Sequence, residues 1–423
     1  MRFHIENIRG FSGKHHLEIR PITLVVGDNS SGKTTLLASL FATLQPDFPV
    51  PSTLNRAPFE LGGFDTTATY RGGRSGRALT FSLGWEEEAR GPGSVMRATF
   101  SNHLGIPRIN EVELSHGDFS LKSDLAMRHF DLSEKRAGSK RYYKFALPEG
   151  LEPRTFALSD IARIYVRAAT NRIKNTKEFE SVMDALFQLE REAARGRPRV
   201  TALAPLRTRP HRTYDKLIEE FKPEGDHIPL VLARILVDEQ DKKEQPLTRA
   251  LEDFGRDSGL FKKLAVKRMG RSPSDPFQLR VKSTGPDVNL VDVGYGVSQA
   301  LPIVVDSILA PKASVVLIQQ PEVHLHPRAQ AALGRFFCTL ATSDNKRFVI
   351  ETHSDYLVDR VRLAVAGGLI KPTDVTIAFL ERDGLDVRIH QLEVDAQGNV
   401  VDPPQAYRAF FLEEEIRLLM GKF

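Results

Sequence analysis

Residues Gly27 to Thr35 read "GDNSSGKTT" and fit the pattern G-x-x-x-x-G-K-[ST] in full. Residues of these types at this spacing bind phosphate. The glycines let backbone N–H groups converge on the oxygens, and a following helix adds the partial positive charge of its N-terminus. Lys33 neutralises the outer phosphates and the Thr34 hydroxyl ligates Mg²⁺. The pattern means little unless it joins a strand to a helix. Here it does: the apolar run "ITLVVG" precedes it and "GKTTLLASLFATL" carries it into a helix. Gly27, Asn29, Ser30, Ser31, Gly32, Lys33, Thr34 and Thr35 are therefore the candidate residues for ATP, with Mg²⁺ at Thr34.

Three further stretches could act on that nucleotide. "DVGYGVSQALPIVV", Asp292 to Val305, is a glycine-rich turn with Ser298 and Gln299 leading into an apolar helix. "LIQQPEVHLHP" continues the apolar run "ASVV" to a strand end where nucleotide hydrolases place acids, and Gln319 and Gln320 stand there instead. A glutamine can hydrogen-bond a metal-bound water, but it brings no negative charge and accepts no proton. Glu322 is the only carboxylate left in this motif. "ETHS" presents His353 after another apolar run. His324 and His326, two apart in a loop with no third ligand beside them, read as structural rather than metal-binding.

These motifs, in this chain order, resemble the RecF/SMC-like branch of ABC ATPases, and in particular the ATPase heads of OLD (overcoming lysogenization defect)-type bacterial anti-phage defence proteins. The residues that carry the resemblance are "IENIRGF", "GDNSSGKTT", "LAPLRTRPHRTY", "DVGYGVSQALP", "QQPEVHLHPRAQ" and "ETHSDYLVDR". It implies an α/β fold, an ABC-type P-loop ATPase head with an antiparallel β lobe and a helical insert. It also implies a homodimer or higher homo-oligomer with two ATPs sandwiched between heads. Gly294, Gly296 and Ser298, with Gln299 beside them, would meet the γ-phosphate held by Lys33 of the other head. His353 would be the switch histidine on that same phosphate. Relatives carry an acid where Gln319 stands, which holds the waters around Mg²⁺, and a nearby carboxylate, here Glu322, orients the attacking water.

By that resemblance the chain is expected to be a slowly hydrolysing, nucleotide-gated dimeric switch in an anti-phage defence or DNA-surveillance complex. OLD proteins carry a nuclease domain after the head. The 70 residues beyond His353 are taken up by a hairpin and "AYRAFFLEEEIRLL", so the effector is expected on a separate protein such as a nuclease. The alternative is a DNA-repair ATPase of RecF/SMC type acting directly on DNA, whose hydrolysis DNA would stimulate. Lys33 and Thr34 argue against a scaffold that needs no nucleotide.

The rest of the chain must position these groups. With 423 residues, 41% hydrophobic and 27% charged, it is long enough for two or three domains around sizeable cores. No signal-peptide core and no run of about 18 apolar residues is present, so a cytoplasmic protein without a membrane span is expected. Cys338 is the only cysteine, which excludes an intramolecular disulfide and a multi-cysteine zinc site. "RFHIENI", "HHLEIRP" and "ITLVVG" read as strands, and five strand-like runs between about Ala68 and Leu147 suggest an antiparallel sheet. "FESVMDALFQLEREAARG", "IPLVLARILVDEQ" and "LTRALEDFGRDSG" follow as helices. From Gln278 the α/β pattern returns, ending in a hairpin that turns at Asp383 and Gly384. The expected division is an N-terminal lobe 1–160, a helical insert 161–265 and a C-terminal lobe 266–423.

The net charge is +5, and the positive residues are concentrated in "RGRPRVTALAPLRTRPHRTY" and "KKLAVKRMGR". Such runs suit a nucleic-acid backbone. For Arg207, Arg209 and Arg212 a second reading stands beside it, in which they tie loops to carboxylates within the fold.

Overall fold

The computed structural model describes residues 1–72, 76–87, 93–124, 129–136, 139–146, 191, 197–215, 220–237, 245–270, 272, 275–407, 409, 416–417 and 419–420. The expected helix at 179–196 lies almost wholly outside them. The chain forms two compact units. One comprises Met1–Ile19, Gly27–Val200 and Phe379–Gln391, and the other Arg20–Val26, Thr201–Ala378 and Leu392–Phe423. No described helix is long and apolar enough to cross a membrane.

The first unit is built on an eight-stranded sheet. Its strands are β1 (Arg2–Ile8), β2 (Phe11–Glu18), β4 (Thr80–Glu87), β5 (Ser94–His103), β6 (Ile106–His116), β7 (Phe119–Asp124), β8 (His129–Arg136) and β9 (Ser139–Ala146). Their order is β2-β1-β4-β5-β6-β7-β8-β9, and every pair is antiparallel. The antiparallel lobe read from the sequence is thus extended by the first two strands. β8, "HFDLSEKR", had no clear apolar alternation and was not anticipated. In the first strands alternation puts Phe3, Ile5, Phe81, Leu83, Met96 and Phe100 inside, where the rings of Phe81 and Phe100 stack at 5.1 Å. Helix α1 (Lys33–Leu44) buries nearly every residue, which fits its lack of a polar face.

The second unit contains β3 (Ile22–Gly27, up to Val26), β10 (Val200–Leu203, from Thr201), β14 (Val315–Gln319), β15 (Arg347–Glu351) and the start of β16 (Val375–Asp383). Their order is β10-β14-β15-β3-β16, continued by β17 (Asp386–Leu392), the second arm of the expected hairpin. β14, β15 and β3 are parallel neighbours, and their continuous apolar runs are buried because both faces are covered. β10 is a strand inside the stretch expected to be a helical insert. The helices are α2 (Ile228–Val237), α3 (Gln245–Ser258), α4 (Tyr295–Leu309), α5 (Pro327–Asp344) and α6 (Asp355–Ala366). α5 and α6 approach closely at Gly334, where a Cβ would sit 2.8 Å from the Leu357 carbonyl oxygen. Cys338 is fully buried on α5, and desolvation pushes its thiol up to about 12.

A three-stranded antiparallel sheet was not anticipated: β11 (Lys263–Arg268), β12 (Phe277–Lys282) and β13 (Val288–Asn289). Leu264, Leu279 and Val281 are buried from one face. Alternation places Lys263, Lys267, Arg280 and Lys282 on the other, with Lys263 directly opposite Lys282. Lys263 and Lys267 of the basic run therefore share one cationic sheet face with Arg280 and Lys282.

Candidate functional site

In the first unit the phosphate-loop residues form a cradle. Gly27 (φ 144°) and Gly32 (φ 95°) adopt backbone conformations open to glycine, and a Cβ on Gly27 would collide with the Leu380 carbonyl oxygen. Gly32 is the N-cap of α1, so no side chain caps the helix, and its first turn holds no acid. The N-terminal N–H groups and the dipole are thus offered to an anion. Lys33 is buried and its Nζ donates to the Gly27 and Asp28 carbonyls at 2.8 and 2.6 Å, folding its charge over the loop. Ser31 Oγ is buried and has no partner among the described residues. Asn29, Ser30 and Thr34 are exposed and Thr35 is buried.

A 320 Å³ cavity lined by Arg9, Ser30, Gly32, Thr35, Tyr70 and Arg382 adjoins this loop. Arg9 donates to Thr35 Oγ1 at 3.0 Å, and desolvation of its guanidinium lowers its pKa. Arg382 donates to the Ser30 carbonyl at 3.2 Å, while Arg77 lies 5.2 Å over the Tyr70 ring. Sequence reasoning did not single out these groups, although Arg9 stands within the quoted "IENIRGF". The donor set fits a nucleotide: an uncapped helix N-terminus, a lysine and several arginines around or beside the cavity.

In the second unit, three parallel strands end together. Gln319 is in register with Glu351, and Glu351 with Val25, two residues before Gly27. The chain then turns sharply at Gln320, whose φ of 42° is left-handed for a residue with a Cβ. Its N–H donates to the Glu351 carbonyl at 2.8 Å. Arg207, only 6% exposed, donates through Nη2 to the Gln319 carbonyl at 2.9 Å and the Gln320 carbonyl at 3.4 Å. Burial pulls its guanidinium down to about 10, opposed by the Glu322 carboxylate. Of the arginines left open by the sequence, Arg207 ties this turn, Arg212 pairs with Asp292 through two bonds of 3.0 and 2.6 Å, and Arg209 is exposed.

Glu322 clamps the loop that carries His353. One oxygen accepts from the His353 N–H at 2.7 Å and the other from Thr352 Oγ1 at 2.8 Å. Each oxygen keeps a lone pair for a further donor. The His353 residue is exposed and Gln319 is buried. His326 caps α5 through its ring, accepting from Arg328 N at 3.3 Å, and the His324 ring lies 6.1 Å from that of Tyr295.

The glycine-serine turn forms the start of α4. Gly294 is its exposed N-cap without a side-chain cap, and Tyr295 is also exposed. Gly296 packs where a Cβ would meet Leu260 and the His324 carbonyl at 3.3 and 3.4 Å. Ser298 is buried and donates to the Tyr295 carbonyl at 2.9 Å. Gln299 is buried too, with Nε2 3.5 Å from the Arg207 carbonyl. The second unit thus joins Gln299, Arg207, Gln319, Glu322 and His353 by consecutive contacts.

A family model described as "AAA domain, putative AbiEii toxin, Type IV TA system" matches residues 22–359, from β3 through most of the second unit. The chain belongs to that AAA-domain family. It is similar to the OLD nuclease of Thermus scotoductus, with 23% identity over 362 residues, and spans 57% of that protein's length. It also aligns with a solved SMC head bound to the C-terminal winged-helix domain of ScpA (12% identity, TM-score 0.43, 93% of this chain and 97% of the other). A second alignment is with the SMC head domain of Thermotoga maritima (11% identity, TM-score 0.40, 93% and 98%). As an AAA-domain protein the chain has a fold that implies nucleotide use, and its sequence is similar to that of an OLD nuclease. In this AAA domain the strand joining the phosphate loop lies beside the strand bearing Glu351, with Gln319 one strand further on.

Proposed function

We propose that this chain is an ATP-binding, slowly hydrolysing ABC-type ATPase that works as a nucleotide-gated dimeric switch in a bacterial anti-phage or DNA-surveillance complex. The observation that carries the reading is the pair of uncapped helix N-termini, that of α1 behind Lys33 and that of α4 at Gly294. One suits the nucleotide's own phosphates and the other the γ-phosphate presented by a second copy. Lys33, Thr34 and the backbone of Gly27–Thr35 would hold ATP, Thr34 and Gln319 are the groups that would serve Mg²⁺, and His353 would sense the γ-phosphate. Glu322 fixes the His353 loop and keeps lone pairs for the attacking water. The OLD relative bears "nuclease" in its name and extends beyond the matched length. By that analogy the switch hands its state to a nuclease effector. The division into lobes 1–160 and 266–423 around an insert 161–265 is part of the same reading.

ATP with Mg²⁺ should convert the 47.4 kDa chain to a dimer in light scattering. Gly294 is exposed and has nothing within 4 Å of an added Cβ, so Gly294→Glu should fold normally. Its carboxylate would repel the facing phosphate, and the variant should stay monomeric in ATP. A mass independent of nucleotide would overturn the sandwich.

Direct action on DNA is kept as a second reading because of the cationic face formed by Lys263, Lys267, Arg280 and Lys282. If that face tracks a duplex, log affinity should fall with log salt by about 0.9 per phosphate neutralised. Replacing the four by glutamine should weaken binding and flatten the slope by on the order of three. Salt-insensitive binding, or no effect of the quadruple change, would remove DNA from the account.

A further inference from the structure

The 320 Å³ cavity beside the phosphate loop is lined by two unlike groups of residues. Ser30, Gly32 and Thr35 belong to the loop and the first turn of α1, whereas Phe11, Tyr70, Leu385 and Val387 offer ring and aliphatic surface. All of them lie in the first compact unit. Tyr70 is 51% exposed, while the Phe11 ring is fully buried. The backbone around Tyr70 is pinned. Tyr70 bridges Arg77 as an antiparallel pair, and the Arg71 N–H donates to the Gly76 carbonyl at 2.9 Å. The Arg71 guanidinium holds Asp386, at the start of β17, with two bonds of 2.9 and 2.8 Å. The ring is thus a preorganised platform beside the phosphate cradle, and any base has a π-face to lay on it.

The same lining lacks the means to tell one purine from another. Adenine carries an amino donor where guanine carries a carbonyl acceptor, and guanine adds a second amino donor. Selecting an amino group takes a fixed acceptor, yet among the described residues lining the cavity none has a carboxylate or carboxamide side chain. Selecting the guanine carbonyl takes a free arginine edge. Arg9 commits its edge to Thr35 Oγ1 and the Leu61 carbonyl at 3.0 and 3.1 Å, and Arg382 to the Ser30 and Gly384 carbonyls at 3.2 and 3.0 Å. Arg77 is engaged with the Tyr70 ring itself. We propose that Tyr70 holds the nucleobase by stacking while nothing reads its edge, so that the site takes purine nucleoside triphosphates as a class, ATP and GTP alike. This rests on the nucleotide reading of the phosphate loop above and widens its substrate.

Thermal stabilisation at fixed Mg²⁺ by ATP, GTP and inorganic tripolyphosphate separates base from phosphates. In the unaltered protein the ATP and GTP midpoints should agree within about fivefold, less than one good side-chain pairing with a base edge discriminates. The tripolyphosphate midpoint should lie about tenfold higher or more, the order of effect of stacking one base on an aromatic side chain. Tyr70→Ala should raise the ATP and GTP midpoints by that same factor and leave tripolyphosphate where it was. Tyr70→Phe keeps the ring without the hydroxyl and should keep all three midpoints. The melting point without ligand is the control for folding; should Tyr70→Ala not fold, the three probes on the unaltered protein decide. Tripolyphosphate as tight as ATP, an ATP midpoint unmoved in Tyr70→Ala, or an equal loss in Tyr70→Phe overturns the stacking role. A larger preference for either purine overturns the unread edge. No stabilisation of the unaltered protein by any of the three overturns the phosphate-loop reading and this proposal with it.

Discussion

Gln319→Glu is expected to raise ATP turnover on the order of 10²-fold while ATP affinity changes little, because one preorganised electrostatic contact in a catalytic site is worth about that much in rate. Binding energy comes mainly from the phosphate cradle around Lys33, which lies on a different part of the chain and keeps its conformation. Turnover of the chain as it stands should sit well below the typical enzyme median of about 10 s⁻¹. Steady-state phosphate release and nucleotide titration, run on both proteins, separate kcat from affinity. Glu322→Gln is the companion variant. Its amide can still accept from the His353 N–H, and the Thr352 hydroxyl can rotate to accept from the new NH₂ group, so the loop should hold while the carboxylate is lost. If Glu322 orients the water, the remaining activity disappears. Fast hydrolysis by the unaltered chain, indifferent to both substitutions, would show that neither position governs the chemistry.

Lys33→Ala should abolish the stabilisation that ATP with Mg²⁺ gives. Ligand at a hundred times its dissociation constant adds about 2.7 kcal/mol to a folded state that alone binds it. The lysine is the only buried cation of the loop itself, and its Nζ is held over the loop by two carbonyls that nucleotide would displace. Melting with and without nucleotide measures the effect. The nucleotide-free melting point serves as control, since losing the Gly27 and Asp28 contacts exposes two carbonyls that water can satisfy at this partly open surface. An unaltered protein that melts at the same temperature in saturating ATP would refute the phosphate-loop assignment.

Much of the site was legible in the linear sequence because its signals are local. The loop from Gly27 to Thr35 needs only glycines at fixed offsets between an apolar run and a helix, and all of these lie within about twenty residues. The runs ending at Gln319 and Glu351 announce doubly covered parallel strands by their unbroken apolar character. The antiparallel lobe was legible for the same reason, and β8 was missed because its charged residues obscure the alternation.

What the tertiary structure decided is partnership. Periodicity reports which side of an element is buried, not which distant strand lies beside it. Nothing local tells that β3, near the start of the chain, neighbours β15, so that Val25, Glu351 and Gln319 end in one row. Nor does a run of arginines separated by prolines tell which one is drawn inside: Arg207 satisfies the carbonyls of a left-handed turn, whereas Arg212 stays at the surface with Asp292. Glu322, the one carboxylate of its motif, is tied in the fold to the His353 loop, a partnership the motif does not reveal. The sequence by itself determined the glycine-rich loop that ends in Lys33 and the absence of charge at position 319. Only the folded sheet decided which carboxylate stands next to that absence, because strand order depends on contacts between residues hundreds of positions apart.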